Sequence, residues 1–136
     1  MKKIDVADLE TREWTPKHYK KEGEIQYGYD VTSFRDEDGL KVPGAILNFV
    51  RVKPGHVIPE HNHFKKDEYF VVIGGEAKIQ TRKSTDEEMQ EMLAKTGDVF
   101  PMPPKTYHRV ENLGNLPFYL FRVAFHNVPG DSHYIE

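Results

Sequence analysis

Cysteine is absent from this 136-residue chain, tryptophan occurs once, and no apolar run approaches the ~18 residues of a membrane-spanning helix. The first absence removes disulfides, thiolate metal sites and thiol nucleophiles together, so any metal must be held by nitrogen and oxygen. A dominant charge sign is missing too: 19 Lys and Arg stand against 22 Asp and Glu, a formal charge of −3, with no basic cluster interleaved with aromatics. There is then no electrostatic case for gripping a polyphosphate backbone, and nucleic acid is not an expected partner. A spanning segment and the apolar core of a secretion signal are likewise not seen, since Met1-Lys2-Lys3 leads into Asp5, Asp8 and Glu10. The expectation is a cytoplasmic protein with no membrane partner.

What is present is enough for one folded domain. Eight Phe, seven Tyr and a 38% hydrophobic share supply a core, and the length fits a single unit. Nine Pro and ten Gly punctuate runs of Val, Ile, Phe and Tyr at short intervals, the cadence of an all-β sandwich or barrel. Residues 1–24 are polar, broken by Pro16 and Gly23, and read as an N-terminal arm; residues 25–136 read as one barrel domain. From Ile25 to Val31, apolar and polar residues alternate as in a half-buried strand, and Asp38-Gly39 marks a turn. Further strands are expected at 45–53, at 69–73 running on through Gly74-Gly75 to Ile79 and Gln80, at Val99-Phe100, at 107–110 and at 118–126. Ser84-Thr85-Asp86-Glu87 has capping-box spacing and good helix formers follow it, so local propensity favours a short helix. Pairing with flanking strands favours a hairpin over 84–95, which is the reading adopted.

The chemistry lies between Gly55 and Gly75. His61 and His63, two apart, can direct both imidazoles to one point, and Glu68 can add a carboxylate from the next strand. His108, after Pro103-Pro104, is the candidate third imidazole. Gly55, five residues, His61-x-His63, four residues, Glu68, six residues and Gly75 reproduce the first motif of the cupin superfamily at every spacing. Gly97, Pro103, His108 and Asn112 follow the second motif, with Lys105 where that family has a glycine. The chain thus resembles a small single-domain cupin, which implies a jelly-roll barrel (double-stranded β-helix) with one divalent metal held by His61, His63, Glu68 and His108. A non-glycine residue in that left-handed turn costs about 1 kcal/mol, which a stable barrel absorbs.

Such a donor set suits Fe(II), Mn(II), Ni(II), Co(II) or Zn(II); the resemblance favours Fe or Mn. It implies a metal-dependent enzyme on a small carbonyl, carboxylate or sugar-like substrate, either a dioxygenase or a non-oxidative isomerase or decarboxylase. The alternative is a non-catalytic binding module for a small molecule or sugar. No general acid or base is identified from the sequence. His18, His56, His126 and His133 are set aside as ordinary histidines, and Tyr107, next to His108, should face away from it. Arg122, in an otherwise apolar strand, either anchors an anionic substrate or makes a surface salt bridge. Phe70, Val72 and one face of 118–125 are expected to wall the pocket. The other face of 118–125, with Tyr119, Phe121, Val123 and Phe125, is apolar as well and needs a cover, for which a homodimer is the expectation.

Overall fold

The computed structural model describes residues 12–14, 26–30, 45–128 and 130–135, and their regular structure is all strand. In chain order the strands are β1 (Arg12–Trp14), β2 (Gln26–Asp30), β3 (Ile46–Val52), β4 (Val57–Asn62), β5 (Asp67–Gly74) and β6 (Glu76–Arg82). They continue with β7 (Gln90–Lys95), β8 (Val99–Met102), β9 (Tyr107–Glu111), β10 (Phe118–Phe125) and β11 (His133–Tyr134). One sheet has the order β1-β2-β3-β10-β5-β8 and the other β11-β4-β9-β6-β7, with the recorded pairings antiparallel. This is the expected all-β jelly roll. Most of the proposed arm lies outside the described residues, and the part that is described, β1, pairs with β2. Among the described residues no helix is long and apolar enough to cross a membrane.

Alternation along the strands divides the interior into two ends. On β10 the inward positions run Phe118, Leu120, Arg122, Ala124; on β5, read in register, they run Val72, Phe70, Glu68. On β9 Val110 is followed inward by His108, and on β4 Ile58 by His61. The apolar end packs Val50, Val52, Val72, Ile79, Phe118 and Leu120 at 2% exposure or less. Each such side chain gains about 1.5–3 kcal/mol on leaving water, so this end holds the fold without help from any ion. The other end is polar and holds His61, His63, Glu68 and His108.

Two local features set the positions of the polar groups. On β4 the register slips between Ile58, opposite Val110, and His61, opposite His108, so two β4 residues, Pro59 and Glu60, stand against the single Arg109 on β9. The resulting bulge turns His61 inward where strict alternation from Ile58 would have placed Glu60. At Gly75 the chain leaves one sheet for the other, correcting the expectation of a strand continuing through Gly74-Gly75. Gly75 has φ +75° and a Cβ there would lie 2.3 Å from the Pro117 carbonyl oxygen, so the corner admits only glycine.

The 84–95 segment is a hairpin arm, with β7 paired along β6 from Thr81↔Gln90 to Glu76↔Lys95. Its capping-box residues serve a turn: Asp86 N–H donates to Ser84 Oγ and Lys83 N–H to Glu87 Oε2. Lys105 takes φ 66°, the left-handed conformation that the missing glycine would have supplied, and its N–H donates to the His63 carbonyl at 2.6 Å. Asn112 is fully buried and structural. Its amide donates to the Val52 and Leu116 carbonyls, its side-chain oxygen accepts from Gly114 N–H, and its own carbonyl accepts from Gly55 N–H.

A candidate metal centre

His61, His63 and His108 converge at the polar end, with one ring nitrogen from each lying within 4.8 Å of the others. All three are buried, and His61 packs edge-on to His108 with ring centroids 4.2 Å apart. The backbone fixes which nitrogen faces inward. Nδ1 of His61 meets the Pro59 carbonyl at 2.7 Å, that of His63 the Asp131 carbonyl at 2.9 Å, and that of His108 the Thr106 carbonyl at 3.0 Å. A neutral imidazole donating from Nδ1 leaves Nε2 as a bare lone pair, the tautomer that a metal requires.

Glu68 closes the group from β5. Its Oε2 lies 3.5 Å from His63 Nε2 and 3.4 Å from His108 Nε2, while its Oε1 faces Lys66 Nζ at 3.1 Å and Arg122 Nε at 3.8 Å. Burial drives His61 well below the usual histidine value, with the neighbouring imidazoles adding to the effect. Burial also pulls His63 down to about 3, against the attraction of Glu68. Burial would raise Glu68, but contact with His108 and the charges of Arg122 and Lys66 outweigh it and hold the carboxyl well below its ordinary range. At neutral pH the Glu68 carboxylate therefore faces the unprotonated imidazole of His63. Nε2 of His63 and of His108 and Oε2 of Glu68 are buried with no hydrogen-bond partner. Electron-rich groups held this close without a donor are costly, and a divalent cation shared among them removes the cost. The residues present fit a metal.

Of the histidines set aside, His18 lies outside the described residues. His56 bonds the Pro54 carbonyl, His126 is exposed, and His133 stacks on Phe64 with centroids 4.0 Å apart; none of these three joins the imidazole group. Arg122 points inward and pairs with Glu68, so it is not a surface salt bridge. Phe70 lies edge-on beneath His108 at 5.5 Å, but Val72, Phe118 and Leu120 belong to the closed core and do not line the site as expected.

Sequence reasoning missed three residues. Lys66 is 5% exposed, and burial lowers its pKa, with Arg122 adding to the effect. Its signal was its place between His63 and Glu68, since a lysine there cannot easily leave the site. Asp131 accepts N–H bonds from Phe64, Lys65 and Lys66 at 3.0, 2.9 and 3.2 Å, clamping the loop between His63 and Glu68. Tyr134 stacks on His61 at 4.9 Å, and burial pushes its phenol pKa up. Nothing local marks these last two, because they arrive through the pairing of β11 with β4.

The Cupin domain family matches residues 48–124, more than half of the chain. Germin-like protein 5-1 of Oryza sativa subsp. japonica is 32% identical over 106 residues, covering 77% of this chain and 46% of that protein. An uncharacterized protein of Methanocaldococcus jannaschii is 35% identical over 73 residues, 54% of this chain and 51% of its own length. Among solved structures, the oxalate decarboxylase of Bacillus subtilis, a protein with Mn(II) centres, superposes with a TM-score of 0.63 at 25% identity over 85% of this chain and 29% of its own. The capsular polysaccharide assembling protein of Staphylococcus aureus shares the fold, with a TM-score of 0.69 at 20% identity over 98% of this chain and 34% of its own. The chain spans about half the length of the curated relatives it matches.

Proposed function

The chain belongs to the cupin family, and from that premise we infer that it is a metal-dependent enzyme holding one divalent ion through His61, His63, Glu68 and His108. The observation that carries this reading is the meeting of the buried, unpartnered Nε2 atoms of His63 and His108 with the Glu68 carboxylate. Three imidazoles and a carboxylate suit Fe(II) or Mn(II) first, and Ni(II), Co(II) or Zn(II) as well. The Mn(II) centres of the Bacillus subtilis oxalate decarboxylase support the preference for Mn or Fe.

The bound ion would supply Lewis-acid or redox chemistry to a small carbonyl, carboxylate or sugar-like substrate. The chain's own groups do the rest. The Pro59, Asp131 and Thr106 carbonyls fix the three rings, so no reorientation is needed when a ligand arrives. Tyr134, kept protonated by burial, stands against His61 as a neutral phenol. Phe70 packs its ring edge-on against His108, with centroids 5.5 Å apart.

The second reading, a binding module without turnover, is favoured by how the nearby carboxylates are employed. Glu60 is tied to Arg82 at 2.6 Å and Asp131 to three backbone N–H groups, so neither is poised as a general base. A substrate panel run with and without dioxygen separates the readings. Turnover that needs oxygen supports a dioxygenase, and anaerobic turnover supports an isomerase or decarboxylase. No turnover together with a ligand-induced rise in Tm favours the binding module.

The homodimer belongs to the same proposal. The outer face of β5, β8 and β10 exposes Tyr69, Ile73, Val99 and Phe125 at 37–55%, a stripe that a second copy would cover. Light scattering that gives a monomer at micromolar concentration contradicts it.

A further inference from the structure

Resting on the metal reading above, we propose that Lys66 is a positioning residue for the metal centre. Its ammonium reserves Oε1 of Glu68, so that the carboxylate gives the ion one oxygen and leaves a coordination position open to water or to an incoming ligand.

The two oxygens of Glu68 are set apart by charge. Neither has a hydrogen-bond partner among the described residues, so no hydrogen bond fixes how the carboxyl group is turned. Oε2 lies 3.5 Å from Nε2 of His63 and 3.4 Å from Nε2 of His108, whereas Oε1 lies 3.1 Å from Lys66 Nζ. Arg122 Nε stands farther from Oε1, at 3.8 Å, and Arg122 has a further partner of its own, so Lys66 is the cation that holds this oxygen.

Lys66 is itself placed for the task. Two lysines stand side by side in the loop between His63 and Glu68, and while Lys65 is exposed, Lys66 is buried at 5% exposure. The Lys66 N–H donates to Asp131 Oδ2 at 3.2 Å, which pins the backbone from which its side chain turns inward. Among the described residues, Glu68 is the one carboxylate within ion-pair distance of its ammonium. A lysine is seldom buried unless its charge is matched, because a lone ammonium out of water is costly. Turning Oε1 from Lys66 onto the ion would draw away that match, whereas ligation through Oε2 alone lets one carboxylate serve both cations. The ion pair thus decides how many oxygens Glu68 offers, and the position that a second oxygen would fill stays free.

The test counts the waters on Mn(II) by water-proton relaxation of the metal-loaded protein, in the wild type, Lys66→Met and Lys66→Arg. Mn(II) takes about six ligands, so four protein atoms leave about two places for water and five leave about one. Lys66→Met keeps the length and loses the charge, which frees Oε1 to turn onto the ion, and relaxivity per bound Mn(II) should fall to about half the wild-type value. Lys66→Arg, which keeps the charge, should restore it. No fall in folded, metal-replete Lys66→Met, or a fall of equal size in Lys66→Arg, overturns the proposal, since a merely structural lysine would change stability and leave relaxivity per bound ion alone. Should Lys66→Met lose its fold or its metal, a crystal structure of the wild-type Mn(II) complex decides. Oε2 alone on the ion with Oε1 still beside Lys66 Nζ supports the proposal, and both oxygens on the ion, or an ammonium turned away from Oε1, refutes it. Failure of the wild type to bind any divalent metal refutes the metal reading itself, which is thereby distinguished from failure of the role of Lys66.

Discussion

Removing the Asp131 carboxylate should loosen the metal centre from a distance. Asp131 touches no inward-facing nitrogen, yet its side chain accepts three backbone N–H bonds, from Phe64, Lys65 and Lys66, in the loop that joins His63 to Glu68. Burial would raise its pKa, but those N–H groups and His133 outweigh that and hold it below the ordinary aspartate range, so it is a full charge at neutral pH. In Asp131→Ala the Phe64 and Lys65 N–H groups are exposed and gain water in exchange, losing a few tenths to about 1 kcal/mol each, while the part-buried Lys66 N–H loses about 1 kcal/mol or more. The total is about 2 kcal/mol. Part of it appears as lower stability of the apo protein in urea, and part as weaker metal binding, because the freed loop must be re-ordered each time His63 and Glu68 are brought together. Chelator competition should show metal affinity lower by about tenfold, the scale on which residues that orient ligands act. Asp131→Asn, which keeps one acceptor oxygen, should fall between the variant and the wild type. A metal affinity within twofold of wild type, alongside the expected drop in stability, would show that the C-terminal segment braces the barrel without positioning the site.

Gly75→Ala should cost several kcal/mol, because its Cβ would meet the Pro117 carbonyl oxygen at 2.3 Å on top of the left-handed strain, whereas Gly97→Ala, with nothing within 4 Å, should cost only about 1–2 kcal/mol. Equal urea midpoints for the two variants would contradict the sheet-to-sheet corner as described. Apo protein should lose stability on acidification below pH 6.5. His63 is pulled down to about 3 by burial, so between those values the unfolded chain holds a proton that the folded one lacks, at about 1.4 kcal/mol per pH unit. His61, lowered in the same direction, adds to the loss. Urea unfolding with chelator present should show a fall of about 2 kcal/mol between pH 7 and pH 5 from His63 alone, and a flat profile would mean that the imidazoles are solvated.

The legible part of this molecule was the part written at short range. His61, His63 and Glu68 lie within eight residues, and the β4 bulge together with one crossing between the two sheets brings them together. His108 could be named because the resemblance assigned it a ligand role, and the pairing of β9 with β4 sets it opposite His61. Lys105 illustrates a departure that sequence reasoning handled correctly: the turn keeps its left-handed φ although glycine is gone. The strand through Gly74-Gly75 was misread because alternation continues across the corner, and only the approach of Pro117, more than forty residues later, reveals that the chain changes sheets there. Arg122 stayed ambiguous for a similar reason. Its inward direction follows from sharing a face with Leu120 and Ala124, but whether it meets a carboxylate depends on the register that places Ala124 opposite Glu68. Asp131 and Tyr134 were invisible because a strand of two residues carries no period, and its placement comes from bonds to β4 and the 64–66 loop.

The central claim is that His61, His63, Glu68 and His108 hold one metal ion in a barrel that stands without it, and elemental analysis with equilibrium dialysis tests it most directly. Wild-type protein stripped with chelator and dialysed against Mn(II) should retain about one ion per chain, and the single variants His61→Ala, His108→Ala and Glu68→Gln should each lose it while keeping a cooperative thermal transition. Folded wild type that retains no divalent metal, or a His108→Ala variant that binds as tightly as the wild type, would contradict the account.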